Sequence, residues 1–134
     1  MQSMKAVVNA YQSVQVDAAV LGAAPHELIA KLLSKAIDST LKAKQFMLDG
    51  NIAAKGEHIK LAIAIITDGL LSCLNMEEGG DIAEKLKALY EHMAFSLLKA
   101  HAENDAARLD EVVSLLSEIK SGWDGIKDQA EASQ

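Results

Sequence analysis

Apolar residues recur at helical spacing along four stretches of this chain. In the first stretch they occupy positions three and four residues apart from Ile29 to Met47, the spacing of one buried helix face. The stretches are separated by glycine, asparagine or aspartate, residue types that end one helix or cap the next. The pattern therefore predicts helices over residues 25–49, 51–76, 82–102 and 106–120.

Local signals support the ends of these helices. Pro25 can occupy the first helical position, where its missing N–H costs nothing. Gly50 is expected just beyond the first helix, and Asn51 can cap the second. Trp123 lies on the side of the fourth helix that carries Val112 and Leu116, so we expect its ring to close one end of the structure.

Helices joined by short turns run antiparallel to their neighbours. The fold class predicted is therefore all-α, an antiparallel up-down-up-down four-helix bundle with a short N-terminal arm or helix. The chain divides into an arm over residues 1–24, a helical bundle over 25–126 and a polar tail over 127–134.

The second and third helices carry more apolar residues than one buried stripe needs. On the second helix, Leu61, Ile65 and Leu71 lie away from the stripe, and Phe95 and Leu98 do so on the third. Three arrangements fit this surplus: a surface groove that a partner covers, unusually deep burial against the first or fourth helix, or packing against a second copy of the chain.

Composition narrows the classes of partner. The net charge is −6, which opposes binding to nucleic acid and to anionic membrane surfaces. The single cysteine, Cys73, cannot form an internal disulfide, which suits the cytosol. The most apolar stretch, residues 61–74, is interrupted by polar residues and is too short to cross a bilayer, so no membrane insertion is expected.

Side-chain chemistry for catalysis or cofactor binding is missing from the pattern. No glutamate is followed by histidine three positions later, which excludes the di-iron motif of helical bundles, and no zinc or haem motif occurs. We expect no catalytic residue, no metal site and no cofactor. One signalling alternative stays open: His58, followed by Lys60, weakly matches a histidine-phosphotransfer helix, although Leu61 stands where a glycine is usual.

The order of short segments over residues 11–126 resembles the flagellar export chaperones of the FliS type. The matching segments are Tyr11, 23–29 (AAPHELI), 79–83 (GGDIA), Leu89-Tyr90, Leu97, Ala100, Asn104-Asp105, 109–112 (LDEV), Leu115-Leu116 and Trp123. No single segment is specific, and the resemblance rests on their order and spacing.

The resemblance implies a cytoplasmic chaperone that is not an enzyme. It would bind the C-terminal segment of flagellin, prevent premature polymerisation and assist flagellar type III secretion, with other export components as further partners. The partner-binding residues expected are Tyr11 on the arm, Leu61, Ile65 and Leu71 on the second helix, and Phe95 and Leu98 on the third. A structural homo-oligomer of helical bundles is the alternative function, and the chain would be a monomer or a homodimer.

Overall fold

The computed structural model describes residues 25–132, and they form four long helices. Helix α1 spans Pro25–Leu48, α2 begins as Ile52–Ala64, α3 spans Met76–Glu103 and α4 spans Ala106–Ala132. Beyond Ala64, α2 continues as a π-helical turn, Ile65–Leu70, and a 3₁₀ turn, Leu71–Cys73. The all-α four-helix fold class is confirmed, and no strand occurs between residues 25 and 132.

The end of one helix contacts the start of another in two pairs, α1 with α4 and α3 with α2. Near the end of α1, Lys44 Nζ lies 2.7 Å from Oδ1 of Asp110 at the start of α4. At the start of α2, Lys55 donates a hydrogen bond to the backbone oxygen of His101 at the end of α3. These contacts describe the antiparallel arrangement that the short connections predict.

Two turns of the same type lie at one end of the bundle. After α1, Gly50 has φ 77°, and Asn51 N–H donates to the Phe46 oxygen at 2.9 Å. After α3, Asn104 has φ 55°, and Asp105 N–H donates to the Ala100 oxygen at 3.0 Å. Both are Schellman turns, in which a residue in the left-handed region lets the chain satisfy the last helical carbonyls. The predicted end at Gly50 is confirmed.

The N-terminus of α2 is capped as the sequence predicts. The side-chain oxygen of Asn51 accepts a hydrogen bond from the Ala54 N–H at 3.1 Å. This bond satisfies one of the amide groups that have no partner in the first turn of a helix. Asn51 therefore ends one turn and begins the next helix.

Two predicted boundaries differ from the structure. A helical turn already forms at Met76, because Asn75 caps it by accepting from the Glu77 N–H, and the expected interruption is confined to Gly80 at φ 52° and ψ −129°. The fourth helix does not end near Lys120 but continues to Ala132. Trp123 is 2% exposed, so its packing holds this part of the helix on the bundle. The division into arm, bundle and tail stays a prediction, and residues 1–24 lie outside the described part.

The core is built from aliphatic side chains of all four helices together with Tyr90 and Trp123. Its fully buried members include Ile29, Leu33, Ile59, Ile66, Leu70, Met93, Leu97, Leu109, Val112 and Leu116. Among residues 25–132, no helix combines the length and hydropathy that crossing a membrane requires.

Candidate partner-binding surface

The outer side of α3 presents large apolar side chains to solvent. Phe95 is 57% exposed and Leu98 is 58% exposed. At about 100° per residue, Phe95 lies roughly 200° around the helix from the buried Met93 and so points away from the core. Ala102, one turn beyond Leu98, is also exposed. We call Phe95, Leu98 and Ala102 the α3 ridge, and its members follow the i, i+3, i+7 spacing of a helix-docking surface.

The predicted residues of α2 do not share one environment. Leu61 is 40% exposed, whereas Leu71 is half-buried and packs against the core. Among the predicted site residues that the structure describes, Leu61, Phe95 and Leu98 are therefore the ones left exposed. Tyr11 lies outside the described residues.

The prediction that Ile65 is exposed is wrong. Its side chain is 8% exposed and belongs to the core. Ile65 is the first residue of the π turn, in which the Leu71 N–H donates to the Ile66 oxygen five residues back. Ile65 follows the buried Ala62 by three residues, or about 300°, and so lies only about 60° from it, at the edge of the buried stripe.

Three further exposed apolar residues, on α1 and at the start of α2, were missed from the sequence. Leu48 and Ile52 are each 69% exposed and flank the α1–α2 turn. Leu41, which lies two turns before Leu48 on the same side of α1, is 48% exposed. Their positions in the sequence could have indicated this exposure, because all three lie off the buried stripe of their helices and next to polar residues.

The two Schellman turns border a small cavity, which we call the end cavity. Its volume is about 250 Å³, and its lining includes Phe46, Ile52, Lys55, His101 and Ala102. Lys55 is only 4% exposed, and its Nζ donates to the His101 oxygen at 3.2 Å and to Asn104 Oδ1 at 3.0 Å. Lys55 therefore joins the start of α2 to the last turn of α3.

Two of the histidines stack on aromatic rings. His26 stacks on Trp123 with ring centroids 4.5 Å apart, and His58 stacks on Phe46 at 5.3 Å. His58 is half-buried by this contact, which does not favour its use as an accessible phosphoryl acceptor. His92 lies 3.3 Å from Glu111 on α4.

Metal-ligating and nucleophilic groups are dispersed in the same part of the chain. Between residues 25 and 132, no three His, Cys, Asp or Glu side chains converge in a way that could hold a metal ion. Burial raises the pKa of the Cys73 thiol, an effect that a hydrogen bond from Ser72 partly opposes. A raised thiol pKa lowers the fraction of reactive thiolate.

Comparison with known proteins gives a consistent match over nearly the whole sequence. The family model described as "Flagellar protein FliS" matches residues 7–130. The chain is 42% identical to the flagellar secretion chaperone FliS of Vibrio cholerae over 92% of this chain and 90% of that protein. It is 42% identical to the protein of the same name from Salmonella typhimurium, covering 92% and 91% of the two chains. It is 44% identical to the flagellar secretion chaperone FliSB of Pseudomonas aeruginosa, covering 94% and 98%.

Proposed function

The chain belongs to the FliS family of flagellar secretion chaperones, and from that membership we propose that its client is flagellin. In this proposal it binds the C-terminal segment of newly made flagellin in the cytosol. Covering that segment prevents premature polymerisation and keeps flagellin ready for the type III export machinery. It acts by binding alone and is not an enzyme.

The observation that carries the proposal is the α3 ridge. Phe95 and Leu98 are more than half exposed although the four helices already bury a complete core. Fully burying one such side chain contributes about 1.5–3 kcal/mol, so covering the exposed parts of both contributes roughly 2–3 kcal/mol. A disordered segment that folds on binding must offset its ordering entropy, and an extended apolar track supports this better than one small pocket.

The contact surface proposed on the described residues consists of the α3 ridge with Leu61 and Leu71 on α2. Leu61 has enough exposed surface to meet a client directly, whereas Leu71 would contribute only its outer edge. Tyr11 remains a proposed contact of the arm. Ile65 is not retained, because its burial leaves almost no surface for a partner.

A homo-oligomer in which copies cover one another's apolar surfaces is the competing function. Light scattering of the purified chain at micromolar concentration, with and without a flagellin C-terminal peptide, distinguishes the two. The proposal expects a monomer or dimer that gains the mass of the peptide. A larger assembly that ignores the peptide would favour the structural alternative.

Polymerisation provides the functional test. Purified flagellin should elongate seeded filaments more slowly when equimolar chaperone is present. Flagellin that lacks its C-terminal segment should not bind the chaperone in a titration calorimeter. Equal affinity for the full and shortened flagellins would contradict the proposed binding segment.

A further inference from the structure

The end cavity contains a buried cation without an anionic partner. Lys55 is only 4% exposed, yet no carboxylate among the described residues lies within 4 Å of its Nζ. An ammonium group has three N–H donors, and the His101 oxygen and Asn104 Oδ1 account for two of them. One donor and the positive charge are left for another acceptor.

The helix dipoles at this end do not neutralise that charge. Helices α1 and α3 end here with partial negative charge, while α2 and α4 begin here with partial positive charge. Two helix ends of each sign oppose one another, so the helix dipoles do not act as an anionic partner for the Lys55 ammonium. A buried charge is costly unless it is paired, and the complementary ligand is therefore an anion.

The walls of the cavity define what kind of anion fits. Phe46, Ile52 and Ala102 supply apolar surface, and the buried Nδ1 of His101 has no hydrogen-bond partner in the described part of the chain. The volume of about 250 Å³ is below the roughly 300–1,000 Å³ of sites for drug-sized molecules. The cavity therefore suits a single carboxylate beside one apolar side chain, as at the end of a peptide.

The α3 ridge leads to this cavity. Ala102 belongs to both, and it lies seven residues, or about 10 Å, along α3 from Phe95. A client helix that packs on the ridge would bring one of its ends to Lys55.

The chain cannot supply the anion from its own C-terminal helix. Helix α4 begins beside the cavity at Ala106 and has 27 residues, so it ends about 40 Å away. Within the described residues, the end of α4 is therefore too far away to supply the carboxylate.

We infer that the end cavity binds a carboxylate at the apolar end of the client segment, with the Lys55 ammonium as its partner. This inference rests on the proposed function, because the client it names is the flagellin C-terminal segment. Two sources share this chemistry: the α-carboxylate of the last residue, and an aspartate or glutamate side chain close to it.

The experiment compares three synthetic flagellin C-terminal peptides on the unmodified chaperone by calorimetric titration. One peptide has a free C-terminus, one is C-terminally amidated, and one has its acidic side chains replaced by their amides. A hydrogen bond to a charged group is worth about ten- to hundredfold in affinity. We expect one of the two modified peptides to bind at least tenfold more weakly than the free peptide, which also identifies the source of the carboxylate.

Two variants test whether Lys55 is the partner. Lys55→Met keeps most of the aliphatic stem and removes the charge, so the free and modified peptides should bind it with equal affinity. Ile52→Glu places a competing carboxylate on the wall of the cavity, and because Ile52 is largely exposed the fold should be retained. It should also remove the difference between peptides, while Lys55→Arg, which keeps the charge, should preserve part of it.

The outcomes separate the inference from the proposed function. Equal affinity of all three peptides for the unmodified chaperone would overturn the carboxylate site and leave flagellin binding intact. A difference between peptides that persists in Lys55→Met, with the fold verified by circular dichroism, would also overturn it. Failure of every peptide to bind the unmodified chaperone would contradict the proposed function itself. The titrations on unmodified protein decide the matter even if Lys55→Met does not fold.

Discussion

The indole ring of Trp123 lies against the imidazole ring of His26, with an angle of 15° between the ring planes. The Trp123 Nε1–H also donates a hydrogen bond to the backbone oxygen of His26 at 2.9 Å. The pair joins the late part of α4 to the first turn of α1. The expectation that Trp123 closes one end of the bundle is therefore confirmed.

Replacing Trp123 should destabilise the free protein strongly. Trp123→Ala leaves a large cavity and should lower the free energy of unfolding by about 3–5 kcal/mol. Trp123→Phe keeps an aromatic ring but loses the bond to His26, so it should cost less, with about 1 kcal/mol from the hydrogen bond. Urea denaturation followed by circular dichroism measures both. A midpoint for Trp123→Ala close to that of the unmodified chain would show that the contact contributes little.

Because Ile65 is buried and Leu61 is exposed, the same substitution should change the free energy of unfolding by very different amounts at the two positions. Ile65→Glu buries a carboxylate in the core without a partner and should lower the free energy of unfolding by several kcal/mol. Leu61→Glu leaves the new charge in water and should change it by less than about 1 kcal/mol. Thermal melts of the two variants provide the comparison. Similar melting temperatures would contradict the burial of Ile65.

The α3 ridge should be required for client binding and dispensable for stability. Phe95→Glu or Leu98→Glu would force a carboxylate beneath an apolar client side chain, and binding of the flagellin peptide should weaken at least about a hundredfold. Melting should barely change, because both positions face solvent in the free protein. Leu41→Glu is a matched control on α1, with comparable exposure. If it reduced peptide affinity as much as Phe95→Glu, the client surface would not be specific to α3.

Burial of the Cys73 thiol predicts slow alkylation and a defined pH dependence. Because burial raises its pKa, iodoacetamide at pH 8 should modify the folded protein several-fold more slowly than the chain in urea. The thiol ionises more readily in the unfolded chain than in the folded protein. The protonated Cys73 thiol therefore makes its full contribution to the stability of the fold below the unfolded pKa of about 8.5, and this contribution decreases as the pH rises above it. The free energy of unfolding of Cys73→Ala should therefore decrease less as the pH rises. Equal alkylation rates in the two states would contradict the burial.

Much of the fold could be predicted because its signals are local. Gly50 and Asn51 define a turn through their own backbone and side-chain preferences, whatever surrounds them. The exposed positions of Phe95 and Leu98 likewise follow from regular α-helical geometry around a known stripe.

Other features depend on contacts that periodicity does not contain. The π turn accompanies a tight approach of α2 to α1, where a Cβ added to Gly69 would lie 3.2 Å from Leu32 Cδ2. Ile65 lies at the edge of the buried stripe, about 60° from Ala62, and periodicity alone does not say whether a neighbouring helix covers that edge. The ammonium of Lys55 could not be assigned to the end cavity either, since its partners lie 46 and 49 residues away.

The π turn also bears on how chain length can vary within this family. Hydrogen bonds that span five residues accommodate one residue more than the regular four-residue pattern. Deleting one residue elsewhere in a helix turns everything after it by about 100° and moves core side chains to the surface. Within Ile65–Leu70, the same deletion would restore a plain α-helix, with the buried positions before and after it still aligned. Length differences of a single residue are therefore expected to collect at this point in the middle of a helix, where sequence comparison would otherwise penalise a gap.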